Sequence, residues 1–201
     1  MKSPRMSVRS LAGLACLATL AGCFLPAPPA SPRYFAPDVP AAAHPAATAP
    51  APAAVRLGVV RSPLHLREQM TWRRSDVEYG FYDQRRWTEL PSAYVERALV
   101  RELFAAGVPA TPAADGPVLT AEVRAFEEVL APVHEARVAV AVELGDARCV
   151  RLRRTFAASR PLDGDDPTAV ARGVGEALDE VVRAIGEAVR QALAHGDRCG
   201  A

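Results

Sequence analysis

Lysine is all but missing from this 201-residue chain: of 24 basic residues only Lys2 is one, and asparagine does not occur. Acidic residues are absent from the first thirty-seven positions, aromatics make up 6%, and there are four cysteines. Each shortage excludes something. If the first 22 residues are removed, no lysine remains for Schiff-base or amine chemistry. The remainder then carries 21 basic against 23 acidic side chains, a net charge of −2, which disfavours a nucleic-acid binder. The longest N-terminal apolar run, residues 11–20, is too short to cross a hydrocarbon core about 30 Å thick.

That run has another use. Lys2, Arg5 and Arg9 precede it as a charged region, and Leu20-Ala21-Gly22-Cys23 follows it. A basic start, a short apolar core and small residues at the end make a signal peptide over 1–22. The last four residues resemble a bacterial lipobox, which implies acylation of the Cys23 thiol and a mature chain beginning there. Several acyl chains, at about 0.8 kcal/mol per buried methylene, would hold the protein on a membrane. Phe24, rather than Asp, follows the cysteine, so delivery to the periplasmic face of the outer membrane is expected.

Residues 23–54 are dominated by Ala and Pro, a composition that blocks helix and sheet and favours extended chain. They predict a tether that reaches about 90 Å if fully extended, with the folded domain at 55–201. Within that domain, residues 55–60 predict a first strand ending at Pro63. Residues 69–73 and 77–82 predict a hairpin around Arg74-Ser75-Asp76. Ser92 is expected to cap a helix bearing Val95, Ala98, Leu99 and Leu103 on one face, closed by Gly107. Residues 118–129 predict a strand. Ala136, Val138, Val140, Val142 and Leu144 share one face of the next, Gly145-Asp146 turns it, and 148–157 returns. Asp166-Pro167 opens the longest helix, with Val170, Val174, Ala177, Leu178, Val181, Ile185, Val189 and Leu193 at helical spacing. The element order predicts an α+β fold: two layers, a mixed or antiparallel sheet with two helices packed on one face.

Catalytic constellations are not evident. His44, His65, His134 and His195 are scattered, and no cysteine pair has zinc spacing, so no metal site or cofactor is expected. Gly173-Val174-Gly175 lies inside the last helix, the wrong context for a phosphate loop, and Asp163-Gly164-Asp165-Asp166 is explained by a loop and a helix cap. Once Cys16 is removed and Cys23 acylated, Cys149 and Cys199 remain, a candidate disulfide in an oxidising compartment. Aromatic and guanidinium groups concentrate in one hairpin: Trp72, Arg73, Tyr79, Arg86 and Trp87 are candidates for docking a partner, a composition common at interface hot spots. The competing reading makes the tryptophans core anchors and the arginines a solvated face.

The same region carries a resemblance. Val55-Arg56-Leu57-Gly58-Val59-Val60, Pro63-Leu64-His65-Leu66-Arg67, Met70-Thr71-Trp72-Arg73, Tyr79 and Arg86-Trp87-Thr88-Glu89-Leu90-Pro91, followed by Arg97-Ala98-Leu99-Val100-Arg101-Glu102-Leu103, resemble the ABC-type transport auxiliary lipoprotein family, which includes the PqiC-like lipoproteins. Thr88 stands where the family has a small alanine, and Leu90-Pro91 inverts its Pro-Leu order. The resemblance implies a non-enzymatic accessory of an ABC lipid transporter. Its partners would be the membrane, an MCE-domain protein and, as a further candidate, phospholipid. The alternative is a structural or assembly-factor envelope lipoprotein with no lipid-transport role.

Overall fold

The computed structural model describes residues 30–37, 55–104 and 116–195. The folded unit begins at Pro32. Its strands are β1 (Arg33–Phe35), β2 (Arg56–Arg61), β3 (Gln69–Arg73) and β4 (Tyr79–Trp87), then, after helix α1 (Pro91–Phe104), β5 (Val118–Val129), β6 (Glu135–Gly145) and β7 (Val150–Pro161), closed by helix α2 (Pro167–Ala194). The fold is α+β, as expected: an open, mixed seven-stranded sheet and two helices.

The sheet is ordered β1-β4-β3-β5-β6-β7, with β2 also paired to β5. The long centre, β5-β6-β7, is an antiparallel meander. Strands β2 and β3 share the remaining edge of β5, both parallel to it: β2 runs beside Val118 to Glu122 and β3 beside Glu127 to Val129. The period-2 pattern of β6 places Ala136, Val138, Val140, Val142 and Leu144 in the core, as their alternation predicts. The inward stripe of α2, from Val170 through Val189, is buried against that layer, and α1 adds Val95, Ala98 and Leu99. Trp87, Tyr94 and Phe126 interlock at the centre, with ring centroids 5.2 to 6.5 Å apart.

Local signals explain most boundaries. Asp166 caps α2 by accepting a hydrogen bond from the Thr168 N–H, with Pro167 in the first turn. Asp146 turns the β6–β7 hairpin by accepting from the backbone N–H groups of Arg148 and Cys149. The Ser75 hydroxyl does the same for Val77 and Glu78 in the β3–β4 turn.

Four expectations are corrected. The stretch assigned to a bare tether contains β1, which pairs in parallel with β4 through Arg33, Tyr34 and Phe35. Three residues among prolines carry no periodicity, so only the waiting edge of β4 makes them a strand. Strand β4 runs on to Trp87 rather than ending at 82 for the same reason. Strand β7 runs to Pro161, because the full length of β6 is there to pair with. Helix α1 begins at Pro91, whose fixed φ and missing N–H suit the first helical position, and not after a Ser92 cap. Gly107, expected to close that helix, lies outside the described residues.

Candidate functional site

The β3–β4 hairpin folds locally from its aromatic and β-branched content and its serine turn. Thr71 pairs with Phe81, Trp72 with Gly80, and Arg73 with Tyr79. Paired residues project from the same side of a sheet, so Arg73, Tyr79 and Phe81 share one face and Trp72 lies on the other. Trp72 covers Gly80, where a Cβ would run into its six-membered ring. Tyr79 stacks edge-on with Phe81 at 6.3 Å and meets His65 at 5.4 Å. Tyr79 and Phe81 are 47% and 42% exposed, so this aromatic row faces solvent. The Arg73 guanidinium lies 5.7 Å from the Tyr79 ring centroid.

What fixes Arg73 is a residue pair that the sequence reading passed over. Glu127 and Glu128 sit side by side at the end of β5, both 2% exposed. Adjacent strand residues point to opposite faces, so the two carboxylates have separate partners. Glu127 accepts a 2.7 Å hydrogen bond from Arg73 Nε, and this contact above all raises the Arg73 pKa. Glu128 meets His134 Nε2 at 2.7 Å and Arg85 Nη1 at 3.5 Å. Tyr82 is the third neighbour of Glu128. Burial first, and then hydrogen bonding to Glu128, push the Tyr82 phenol well above its ordinary value. The signal is present in the sequence: adjacent acids in a strand point to opposite faces, so Glu127 and Glu128 cannot both lie on the face that carries Thr120, Glu122 and Arg124.

The two acids brace the hairpin and the β5–β6 turn against β5. Around them the arrangement offers fixed guanidinium and aromatic groups, suited to recognition. No cluster of three or more His, Cys, Asp or Glu that could hold a metal occurs among the described residues. Gly173, of the glycine pair in α2, is where the helix crosses β6: a Cβ there would lie 2.9 Å from Leu162 Cδ2 and 3.0 Å from the Ala136 Cβ. Its role is packing.

The candidate docking residues separate. Trp87 is 1% exposed and belongs to the core, which corrects its assignment to the surface and follows from the Tyr94 and Phe126 rings around it. Trp72 covers the hairpin backbone. Arg73 and Tyr79 come together on the open face with Phe81 of the same hairpin, joined by His65, which the residue types alone do not single out. Arg86 lies farther along β4, opposite Gln69 and Tyr34. Cys23 and Cys199 lie outside the described residues. Cys149 is half-buried just before β7.

Comparison with known proteins adds to this geometry. A family model described as "ABC-type transport auxiliary lipoprotein component" matches residues 35–186. The crystal structure of a Xanthomonas campestris protein assigned to DUF330 is similar, with a TM-score of 0.61 and 21% identity over 85% of this chain and 91% of that one. Another, of an uncharacterized protein, has a TM-score of 0.62 and 13% identity over 80% of this chain and 99% of that one. At such identities the likeness is one of fold. No curated protein matches at a significant level.

Proposed function

The chain belongs to the ABC-type transport auxiliary lipoprotein family, and from that membership we propose that it is a non-enzymatic accessory of an MCE-type ABC lipid transport system. In this reading acylated Cys23 anchors it on the periplasmic face of the outer membrane, and an MCE-domain protein is its partner, with phospholipid as the cargo. The observation that carries the reading is the match from Phe35 in β1 to Gly186 in α2, which spans nearly all of the folded unit. The lipobox-like Leu20-Ala21-Gly22-Cys23 supports the anchor. A Cys149–Cys199 disulfide is part of the proposal and would tie the chain end beyond α2 to the β6–β7 turn.

The partner surface in this reading is the exposed pair Tyr79 and Phe81, with half-buried His65, beside Arg73. Affinity purification of the full chain from detergent-solubilised envelope tests it. The wild type is expected to recover an MCE-containing complex, and Tyr79→Ser with Phe81→Ser to lower recovery about tenfold or more, the scale of an interface hot spot. Both side chains are solvent-facing, and circular dichroism checks that the double variant folds. Recovery of no transport component by the wild type overturns the transport role and favours a structural envelope lipoprotein.

A further inference from the structure

Arg33, the first residue of β1, lies ten positions after Cys23. At 3.3–3.6 Å per fully extended residue, that chain reaches about 35 Å at most. A leash measured to Ala54, 31 positions after Cys23, would let the domain roam about three times as far. Strand β1 is firmly placed: its three residues are in register with Arg85, Arg86 and Trp87, Thr88 N–H donates to the Phe35 carbonyl at 2.9 Å, and Phe35 packs against the core. The edge of the sheet formed by β1 and β4 therefore cannot leave the neighbourhood of the anchor.

We propose that this edge docks on the phospholipid surface that holds the anchor, through Tyr34, Leu64, Leu90, Arg67 and Arg86. The proposal rests on the acylation of Cys23 put forward above. Tyr34 and Arg86 are register partners and project from the same side of the sheet. Arg86, Leu64, Leu90 and Arg67 line one open groove of about 570 Å³. Tyr34, Leu64 and Leu90 are 58%, 82% and 47% exposed, so three large apolar side chains face water along this edge. Among the described residues neither Arg67 nor Arg86 is in an ion pair, and Glu68 is the one acid of the groove lining. Arg67 Nε donates to the Leu64 carbonyl at 2.9 Å, which fixes the guanidinium beside the exposed leucine.

Tyrosine and leucine at the headgroup boundary, with guanidinium groups beside them to meet phosphate, are the chemistry of an interfacial contact. The leash selects a bilayer over a distant protein as the occupant, because it limits how far the edge can be from lipid. The opposite edge, β7, stands five strand spacings away, about 24 Å across the sheet. The aromatic row at Tyr79 adjoins the patch through His65, next in sequence to Leu64. A partner bound there would stand beside the membrane.

The test uses the mature full chain, purified from envelope and reconstituted into vesicles of phosphatidylethanolamine and phosphatidylglycerol. An environment-sensitive nitrobenzoxadiazole label is placed at Leu64→Cys or, as the control on the opposite edge, at Thr155→Cys, with the unsubstituted protein as background. Nitroxide lipids near the headgroup are expected to quench the Leu64 label about threefold more strongly than the Thr155 label, given insertion of about 5–10 Å. Arg86→Glu is expected to lower quenching at position 64 about twofold, and flotation with the vesicles to be unchanged. Equal quenching at the two positions in protein that floats overturns the docking proposal, leaves the anchor standing and assigns the patch to a protein partner. Intact mass reports acylation separately, and an unacylated Cys23 overturns both readings.

Discussion

Individual side chains decide how rigid the hairpin is. Glu127 is buried and its charge is balanced by Arg73, so Arg73→Met would strand a carboxylate in the sheet. We expect that substitution to cost about 2–3 kcal/mol in urea unfolding, below the roughly 3–5 kcal/mol of a fully buried pair because Arg73 is partly exposed. Adding Glu127→Gln is expected to restore most of the loss, since the unpaired charge is then gone. Failure of the double variant to recover would show that Arg73 acts through packing alone. Tyr82 titrates in the opposite sense from a paired carboxylate. Its folded-state pKa is raised above the ordinary value of about 10, so the folded protein holds the proton more tightly than the unfolded chain does. Its contribution to stability is complete below pH 10 and is lost as pH rises through the folded value. Tyr82→Phe should therefore flatten the fall in stability above pH 10, read as melting temperature against pH.

At the scale of elements, the helices are specified by their stripes and caps, and their seating on the sheet by close approaches. Helix α2 crosses β6 at Gly173, where there is no room for a side chain between Leu162 and Ala136. Gly173→Val is expected to destabilise by about 1–3 kcal/mol through overpacking, with little change in helix content by circular dichroism. An unchanged urea midpoint would mean that the helix can lift from the sheet at no cost. Gly173, the first glycine of Gly173-Val174-Gly175, thus has a steric reason to be there. The β3–β4 hairpin was legible from its aromatic residues and turn. Its extension to Trp87 was not, because residues 83–86 carry three charged side chains and a glutamine and lack an apolar alternation.

The whole molecule begins earlier than its hydrophobic pattern suggests. A chain starting at Pro32 is expected to unfold at higher urea than one starting at Val55, by about 1–2 kcal/mol for the partly buried Phe35 and its backbone pairing. Equal midpoints would show that β1 adds nothing to the fold. The same early start shortens the leash between anchor and domain, and so turns a question of folding into one of placement at the membrane. Of the candidate surface, Arg73 and Tyr79 were legible as a cationic aromatic hairpin. Trp87 was not distinguishable from them, because an aromatic beside arginines looks the same in sequence whether it faces water or Phe126. Glu127 carries no local sign of its partner, because Arg73 lies 54 positions away along the chain; of the partners of Glu128, Arg85 lies 43 positions away and His134 six.

The α+β class, the core faces of β6 and α2, the Asp166 cap, the turn at Asp146 and the family are legible in the amino-acid order alone. All of these are set by local periodicity, by side chains hydrogen-bonding to their own neighbourhood, or by a motif that is contiguous in the chain. Contacts between distant segments make Arg33–Phe35 a strand and Trp87 a core residue, settle which arginine holds which buried acid, and set Tyr34 opposite Arg86, which lines one groove with Leu64. Each of these depends on strands brought together from distant parts of the chain. Short segments such as β1 have no pattern of their own, and what they become is set by the hydrogen-bonding edge they meet.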